Sequence, residues 1–256
     1  MNFVCNLRRL GIYDQLVVAA WDAEMYSFAF KMGVPVFLYR SSVGHSGDMS
    51  YGSQAFKKVT KLKSKVVLEI LRMGYDVTWT DTDIVWFDNP IPLLRSMESD
   101  FVVQSNAPSS EDAANGKLRI NSGFYRIRSS PIAISALEAI VQHASESHLT
   151  EQPSFYIILC GGRDGNTKVG DDGCIYTAPP SHANQDRHEG RRTLFVKFLD
   201  RSRYPNGATV SATNASSLLW DLDRLSDNDE RLVILHNNWI KGIGGKVERL
   251  VNHGFW

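Results

Sequence analysis

Two carboxylates separated by one residue, Asp81-Thr82-Asp83, directly follow Tyr75 to Thr80, a segment that reads as a strand. Carboxylates this close repel one another unless a proton or cation lies between them, and hard oxygen donors suit a divalent metal. In open α/β sheets, ligands bind just past the carboxyl ends of strands. An isolated Asp-x-Asp also occurs as a turn that caps the next element. Here Ile84-Val85-Trp86-Phe87 follows at once, before Asp88-Asn89-Pro90, so apolar residues flank the pair on both sides. Burying such a pair without a ligand costs several kcal/mol by rough estimate, which argues for a purpose.

A second group, His236-Asn237-Asn238-Trp239-Ile240-Lys241, lies past an apparent strand ending at Leu235 and precedes Gly242, Gly244 and Gly245. A lone histidine is more often structural than a ligand. At a strand end, however, an imidazole can complete the coordination of a manganese-like ion, while a lysine and glycine amides can hold phosphate. The two groups together read as a clamp for a metal and a diphosphate.

These groups require strand ends to position them. Leu16 to Ala20, Val34 to Tyr39, Phe101 to Ser105, Ile120 to Ile127, Leu194 to Leu199 and Arg231 to Leu235 read as further strands. Helices are expected over Trp21–Met32, Ser53–Met73, Pro131–Ala144 and near Gly245–Val251, from apolar spacing and from Gly33, Gly74 and Pro131 as stop and start signals. Most lysines of the second helix (57, 58, 61, 63 and 65) belong to a solvated face, with room for one to point inward. Gly161 to Arg192, rich in Gly, Asp, Asn, Pro and His, reads as a long irregular insertion. Strands alternating with helices imply a mainly parallel sheet covered on both faces.

The chain has 256 residues, with 28 Lys+Arg against 28 Asp+Glu, enough for one large α/β domain or two small ones and without the basic excess that bulk nucleic-acid or anionic-membrane binding uses. Its 43% hydrophobic and 22% charged residues exclude disordered, collagenous and coiled-coil classes. No apolar run approaches the ~20 residues of a membrane span, and the N-terminus lacks a signal-peptide core. Cys5, Cys160 and Cys174 contain no CxxC pair, against structural zinc. Cys160 and Cys174 are either a bridged pair in an oxidising compartment or, the plainer reading, unrelated thiols. Asn214-Ala215-Ser216 is a single glycosylation sequon.

The ordered set of motifs resembles the plant and algal nucleotide-diphosphosugar transferases, the family holding rhamnogalacturonan-II xylosyltransferases and extensin arabinosyltransferases. It runs from Leu16-Val17-Val18-Ala19-Ala20 through Gly74-Tyr75-Asp76-Val77, Asp81-Thr82-Asp83-Ile84-Val85-Trp86, Asn121-Ser122-Gly123-Phe124 and Glu151-Gln152. It continues through Leu199-Asp200 and Tyr204-Pro205-Asn206-Gly207 to His236-Asn237-Asn238-Trp239. The resemblance implies a single GT-A-type α/β domain, with a Rossmann-like, mainly parallel sheet and helices on both faces. It implies a metal-dependent glycosyltransferase that moves a sugar from a UDP-sugar to a glycan or glycoprotein acceptor with retention. Asp81, Asp83 and His236 would hold Mn²⁺ or Mg²⁺, with Asp81 also facing the ribose or sugar. Lys241 would contact the diphosphate, Lys65 would reach the donor, and Asn121, Glu151 and Gln152 would line the donor sugar. The Golgi lumen is the compartment the resemblance implies.

Two departures stand out. Glu151 replaces the family's usual Asp, adding a methylene. The family also begins with a base-binding strand and a membrane anchor, so residues 1–256 are expected to be an N-terminally incomplete transferase domain. Two rival readings remain. In a haloacid-dehalogenase-like phosphatase, Asp81 would be the nucleophile and Asp83 the acid/base, with Lys168, Asp171 and Asp172 completing a magnesium site. The other rival is a nucleotide-sugar-binding remnant without turnover.

Overall fold

The computed structural model describes residues 2–40, 50–107, 112, 119–161, 173–178, 193–208 and 232–255. In chain order the elements are α1 (Asn2–Arg9), β1 (Val18–Ala20), α2 (Ala23–Lys31), β2 (Val36–Leu38), α3 (Gln54–Arg72), β3 (Val77–Thr80), β4 (Ile84–Trp86) and α4 (Ile91–Ser96). They continue with β5 (Phe101–Ser105), β6 (Ile120–Ile127), α5 (Pro131–Glu146), α6 (Gln152–Cys160), β7 (Cys174–Thr177), β8 (Thr193–Phe198), β9 (Ile234–His236) and α7 (Ile243–Asn252). Side-chain caps start the longer helices as the sequence indicates. Ser53 Oγ accepts from the Phe56 amide and Ser130 Oγ from that of Ala133, each relieving an otherwise unpaired first-turn N–H.

The central sheet has five strands in the order β3-β6-β5-β8-β7. β3, β5 and β8 run in one direction, and β6 and β7 are set antiparallel among them. A parallel pair β1–β2 and an antiparallel ribbon β4–β9 form separate sheets. Helices cover both faces of the central sheet, because its strands bury alternate residues to opposite sides. Phe101 and Val103 of β5 pack with Val67 and Leu71 of α3, Leu137 and Ile140 of α5 and Phe155 of α6. Val102, between them, packs with Leu7 of α1, Leu94 of α4 and the ribbon residues Ile84, Trp86 and Ile234.

Several elements differ from the sequence reading. Ile84–Trp86, read only as an apolar segment, is a strand, because it finds a partner far along the chain in β9. α6 was not anticipated, since its apolar residues lack clear amphipathic periodicity; Glu151 stands at its N-cap. The stretch 161–192 is not wholly irregular. It contains β7, tied to α6 by a Cys160–Cys174 disulfide with Cα atoms 5.3 Å apart, so these two cysteines are a bridged pair rather than unrelated thiols. Lys168, Asp171, Asp172 and the sequon at Asn214 lie outside the described residues.

Candidate active site

Strand pairing assembles the acidic and imidazole groups. Ile84 pairs with His236 at one end of the β4–β9 ribbon, which sets Asp83, the residue before β4, beside the last residue of β9. The Asn237 amide donates to the Asp83 carbonyl at 2.9 Å and closes that end. Asp81 follows β3 directly, and its amide donates to the Gly123 carbonyl of β6 at 2.8 Å. Asp81, Asp83 and His236 therefore each present a ligand atom within 4.8 Å of the others, His236 buried and the two carboxylates partly so.

The protonation of His236 follows from its neighbours. Gln104 Nε2 donates to the carbonyls of Tyr204 at 3.0 Å and Pro205 at 2.9 Å, so its Oε1 is the end that faces His236 Nδ1, at 2.9 Å. An amide oxygen only accepts, so Nδ1 carries a proton and Nε2 is the ring nitrogen that faces Asp83 Oδ1, 3.3 Å away. Nε2, the Asp83 carboxylate and Asp81 alongside make the donor set of a divalent cation, and a carbonyl on the far nitrogen is the usual support for a metal-binding histidine. The residues present fit the ion that the sequence implied.

Two lysines balance the carboxylates. Lys63 Nζ lies 2.8 Å from Asp81 Oδ1 and 3.7 Å from Glu151 Oε1. Burial opposes its charge, but Asp81 and Glu151 outweigh burial and hold the ammonium above the ordinary lysine range. Glu151 is 2% exposed, and burial pushes its carboxyl up, with Lys63 pulling it back. Lys246 on the first turns of α7 bonds Asp83 Oδ2. Burial works against ionisation of Asp83, yet His236 and Lys246 hold its carboxyl well below the usual carboxylate range.

The lysine that reaches the acidic pair is thus Lys63 rather than Lys65. Two residues on a helix are separated by about 200° around the axis, so the two leave α3 on different sides. Lys65 lies toward Lys61, whose ammonium it helps to lower, after burial and Lys57. Lys241 is exposed, with Nζ 6.0 Å from the Tyr51 ring centre.

Asn121-Ser122-Gly123 forms the floor. The β5–β6 register shifts between Val103 and Gln104, so β6 bulges and its backbone groups need other partners. Gln152 Oε1 accepts from the Ser122 amide at 3.1 Å, and Asn121 Oδ1 from the Gly123 amide at 2.9 Å. A Cβ on Gly123 would lie 2.3 Å from His236 Cε1 and 2.9 Å from Asp81 Oδ2. Only glycine lets the bulge approach the acidic and imidazole groups this closely.

Residues 11–250, which contain this arrangement, match the family model described as nucleotide-diphospho-sugar transferase. The chain belongs to that family. It is 40% identical over 261 residues to the beta-arabinofuranosyltransferase RAY1 of Arabidopsis thaliana, covering 100% of this chain and 44% of that protein. It is 27% identical over 214 residues to the UDP-galactose:fucoside alpha-3-galactosyltransferase of Dictyostelium discoideum, covering 81% of this chain and 29% of that one. The chain spans less than half the length of these two curated relatives. Among solved structures it is similar to the apo form of mouse xyloside xylosyltransferase 1, at 12% identity and a TM-score of 0.43, over 89% of this chain and 85% of that one. As a member of that family, it has a mixed α/β fold.

In this family member another motif, Tyr204-Pro205-Asn206-Gly207, is a latch. The Gly207 amide donates to Asn238 Oδ1 at 2.7 Å, and a Cβ there would meet the Asn238 carbonyl at 1.8 Å. Arg249 bonds Asn237 Oδ1 and the Asn238 carbonyl from α7. Asn106 Oδ1 accepts from Asn121 Nδ2 at 3.3 Å, Asn238 Nδ2 at 3.2 Å and Trp239 Nε1 at 3.2 Å. Trp239 itself has φ of 59°, a left-handed conformation that costs a side-chain-bearing residue about 1–2 kcal/mol.

The sequence reading missed Lys246, Gln104, Asn106 and Arg249, and left open which lysine of α3 points inward. For Lys63 a signal existed, since it alternates with Leu62 and Ser64 on a helix buried around much of its circumference. Gln104 offered one as well, a polar residue inside a strand buried at every position. The other three carry no local mark.

Proposed function

We propose that this chain transfers a sugar, pentose or hexose, from a UDP-sugar to a glycan or glycoprotein acceptor with retention of configuration. The observation that carries the reading is the convergence of Asp81, Asp83 and Nε2 of His236 in a member of this family. These three residues would hold Mn²⁺ or Mg²⁺, which when bound stabilises the negative charge of a departing diphosphate. Lys241 and the amides of Gly244 and Gly245 at the start of α7 bind the same diphosphate by charge and by hydrogen bonds. Asp81 faces the ribose or sugar.

Lys63, in place of Lys65, brings a positive charge to the donor between Asp81 and Glu151. Glu151 and Asn121 orient the donor sugar, and the longer Glu151 side chain is accommodated by its contact with Lys63. Gln152 has its carbonyl oxygen committed to Ser122, so it positions the β6 bulge beside the donor sugar. The Cys160–Cys174 bridge and the plant relatives favour an oxidising compartment such as the Golgi lumen. Among the described residues no helix is long and apolar enough to cross a membrane.

Calorimetric titration of UDP with and without Mn²⁺, together with donor hydrolysis over a panel of UDP-sugars, tests the reading. Binding that requires Mn²⁺, is lost in Asp83→Ala, and accompanies slow hydrolysis of one donor is expected. For Lys241→Ala, affinity falls for UDP more than for uridine. Metal-dependent UDP binding with no hydrolysis would favour the remnant. Phosphate release from a phosphomonoester would favour the phosphatase. UDP affinity indifferent to Asp83→Ala overturns the metal assignment.

A further inference from the structure

Trp239 is a 49% exposed aromatic residue held in a left-handed backbone conformation three positions after the candidate metal ligand His236. Such conformations persist where the surroundings impose them, and they concentrate at ligand sites. The surroundings here are extensive. Asn237 is bonded to the Asp83 carbonyl, the Lys246 carbonyl and Arg249, and Asn238 to Gly207, Asn106 and Arg249. The strain therefore falls on the next residue, where glycine would fit without cost. A large side chain at such a position needs a use.

The indole is anchored at its polar edge. Nε1 donates to Asn106 Oδ1, the same oxygen that receives Asn121 Nδ2, and Asn121 Oδ1 in turn holds the Gly123 amide beside His236. Two side chains thus link the indole to the floor of the donor site. An anchored edge with an exposed ring is the arrangement that stacks on the C–H face of a sugar, since the ring stays oriented and its apolar surface needs covering.

We infer that Trp239 is a stacking platform for the acceptor glycoside, placing a pyranose or furanose ring next to the donor sugar held over Asn121. The inference rests on the transferase reading above and names the acceptor side of that site. A carbohydrate acceptor, rather than a peptide hydroxyl alone, is the class that such a platform selects.

The test is saturation-transfer NMR and titration of methyl α-L-fucopyranoside, methyl β-D-galactopyranoside and methyl α-L-arabinofuranoside against the protein with Mn²⁺ and UDP. At least one glycoside is expected to bind with its C–H face saturated, about tenfold more weakly in Trp239→Ala and within about threefold in Trp239→Phe, which keeps a ring. Calorimetry on the same samples is expected to show Mn²⁺-dependent UDP affinity within about twofold of the parent for both variants, as an acceptor-side role requires. Unchanged glycoside affinity in Trp239→Ala overturns the inference, and so does a parallel loss of UDP affinity, the mark of a merely structural residue. Parent protein that binds UDP but none of the glycosides overturns it too. Parent protein that binds no UDP removes the transferase reading, and this inference with it.

Discussion

Gln104 Oε1 lies 2.9 Å from His236 Nδ1, and the other end of the same amide is committed to the carbonyls of Tyr204 and Pro205. One buried glutamine thereby keeps a proton on Nδ1 and leaves Nε2 as the nitrogen that points toward Asp83. Supports of this kind typically contribute 10–100-fold to metal affinity, by rough estimate. Gln104→Leu is expected to weaken Mn²⁺-dependent UDP binding by about tenfold or more, measured calorimetrically with metal in excess. An unaltered metal requirement in that variant would remove Gln104 from the site.

Lys63 and Lys65 separate cleanly. Methionine at 63 leaves Asp81 and the buried Glu151 without their shared cation, and breaking a buried ion pair costs about 3–5 kcal/mol. Lys63→Met should lower the denaturant midpoint strongly and weaken UDP binding, whereas Lys65→Met should stay within about 0.5 kcal/mol of the parent. Equal effects of the two substitutions on urea unfolding would contradict the placement of Lys63.

Gly123 admits no side chain without displacing His236 or Asp81. Overpacking of this sort costs about 1–3 kcal/mol and moves the ligands apart. We expect Gly123→Ala to fold with a lowered Tm and to lose Mn²⁺-dependent UDP binding. Retention of that binding would mean the β6 bulge can relax away from the metal site.

The Cys160–Cys174 bridge closes a short loop, with a sequence separation of 14, and ties the end of α6 to β7. A loop of this size is worth about 3 kcal/mol in the chain-entropy description. Reduction, or serine at both positions, should lower stability by roughly that amount in urea titrations. Because Glu151 and Gln152 begin α6, donor-sugar hydrolysis is expected to fall further than metal-dependent UDP affinity.

Local patterns carried a good part of this protein. Phe101–Ser105 and Ile120–Ile127 are strands with the bounds their composition indicates, and α3 begins after Ser53 where a serine precedes the apolar periodicity. Asp81-Thr82-Asp83 and His236 stood out by residue type at strand ends, because charge and imidazole in apolar surroundings need partners to be tolerated. β4 and α6 were missed because one is defined by pairing with a distant strand and the other by burial on several sides.

Tertiary structure decided what no local pattern holds. Pairing of β4 with β9 brought Asp83 to His236 and let Lys246 reach across 163 positions to the same carboxylate. The azimuth of α3 on the sheet selected Lys63 over Lys65, and a glutamine 132 positions away placed the proton on His236. Residue type supplies the capacity for metal and phosphate chemistry. Distance and orientation, which turn that capacity into one site, come from packing and strand register between segments far apart in the chain.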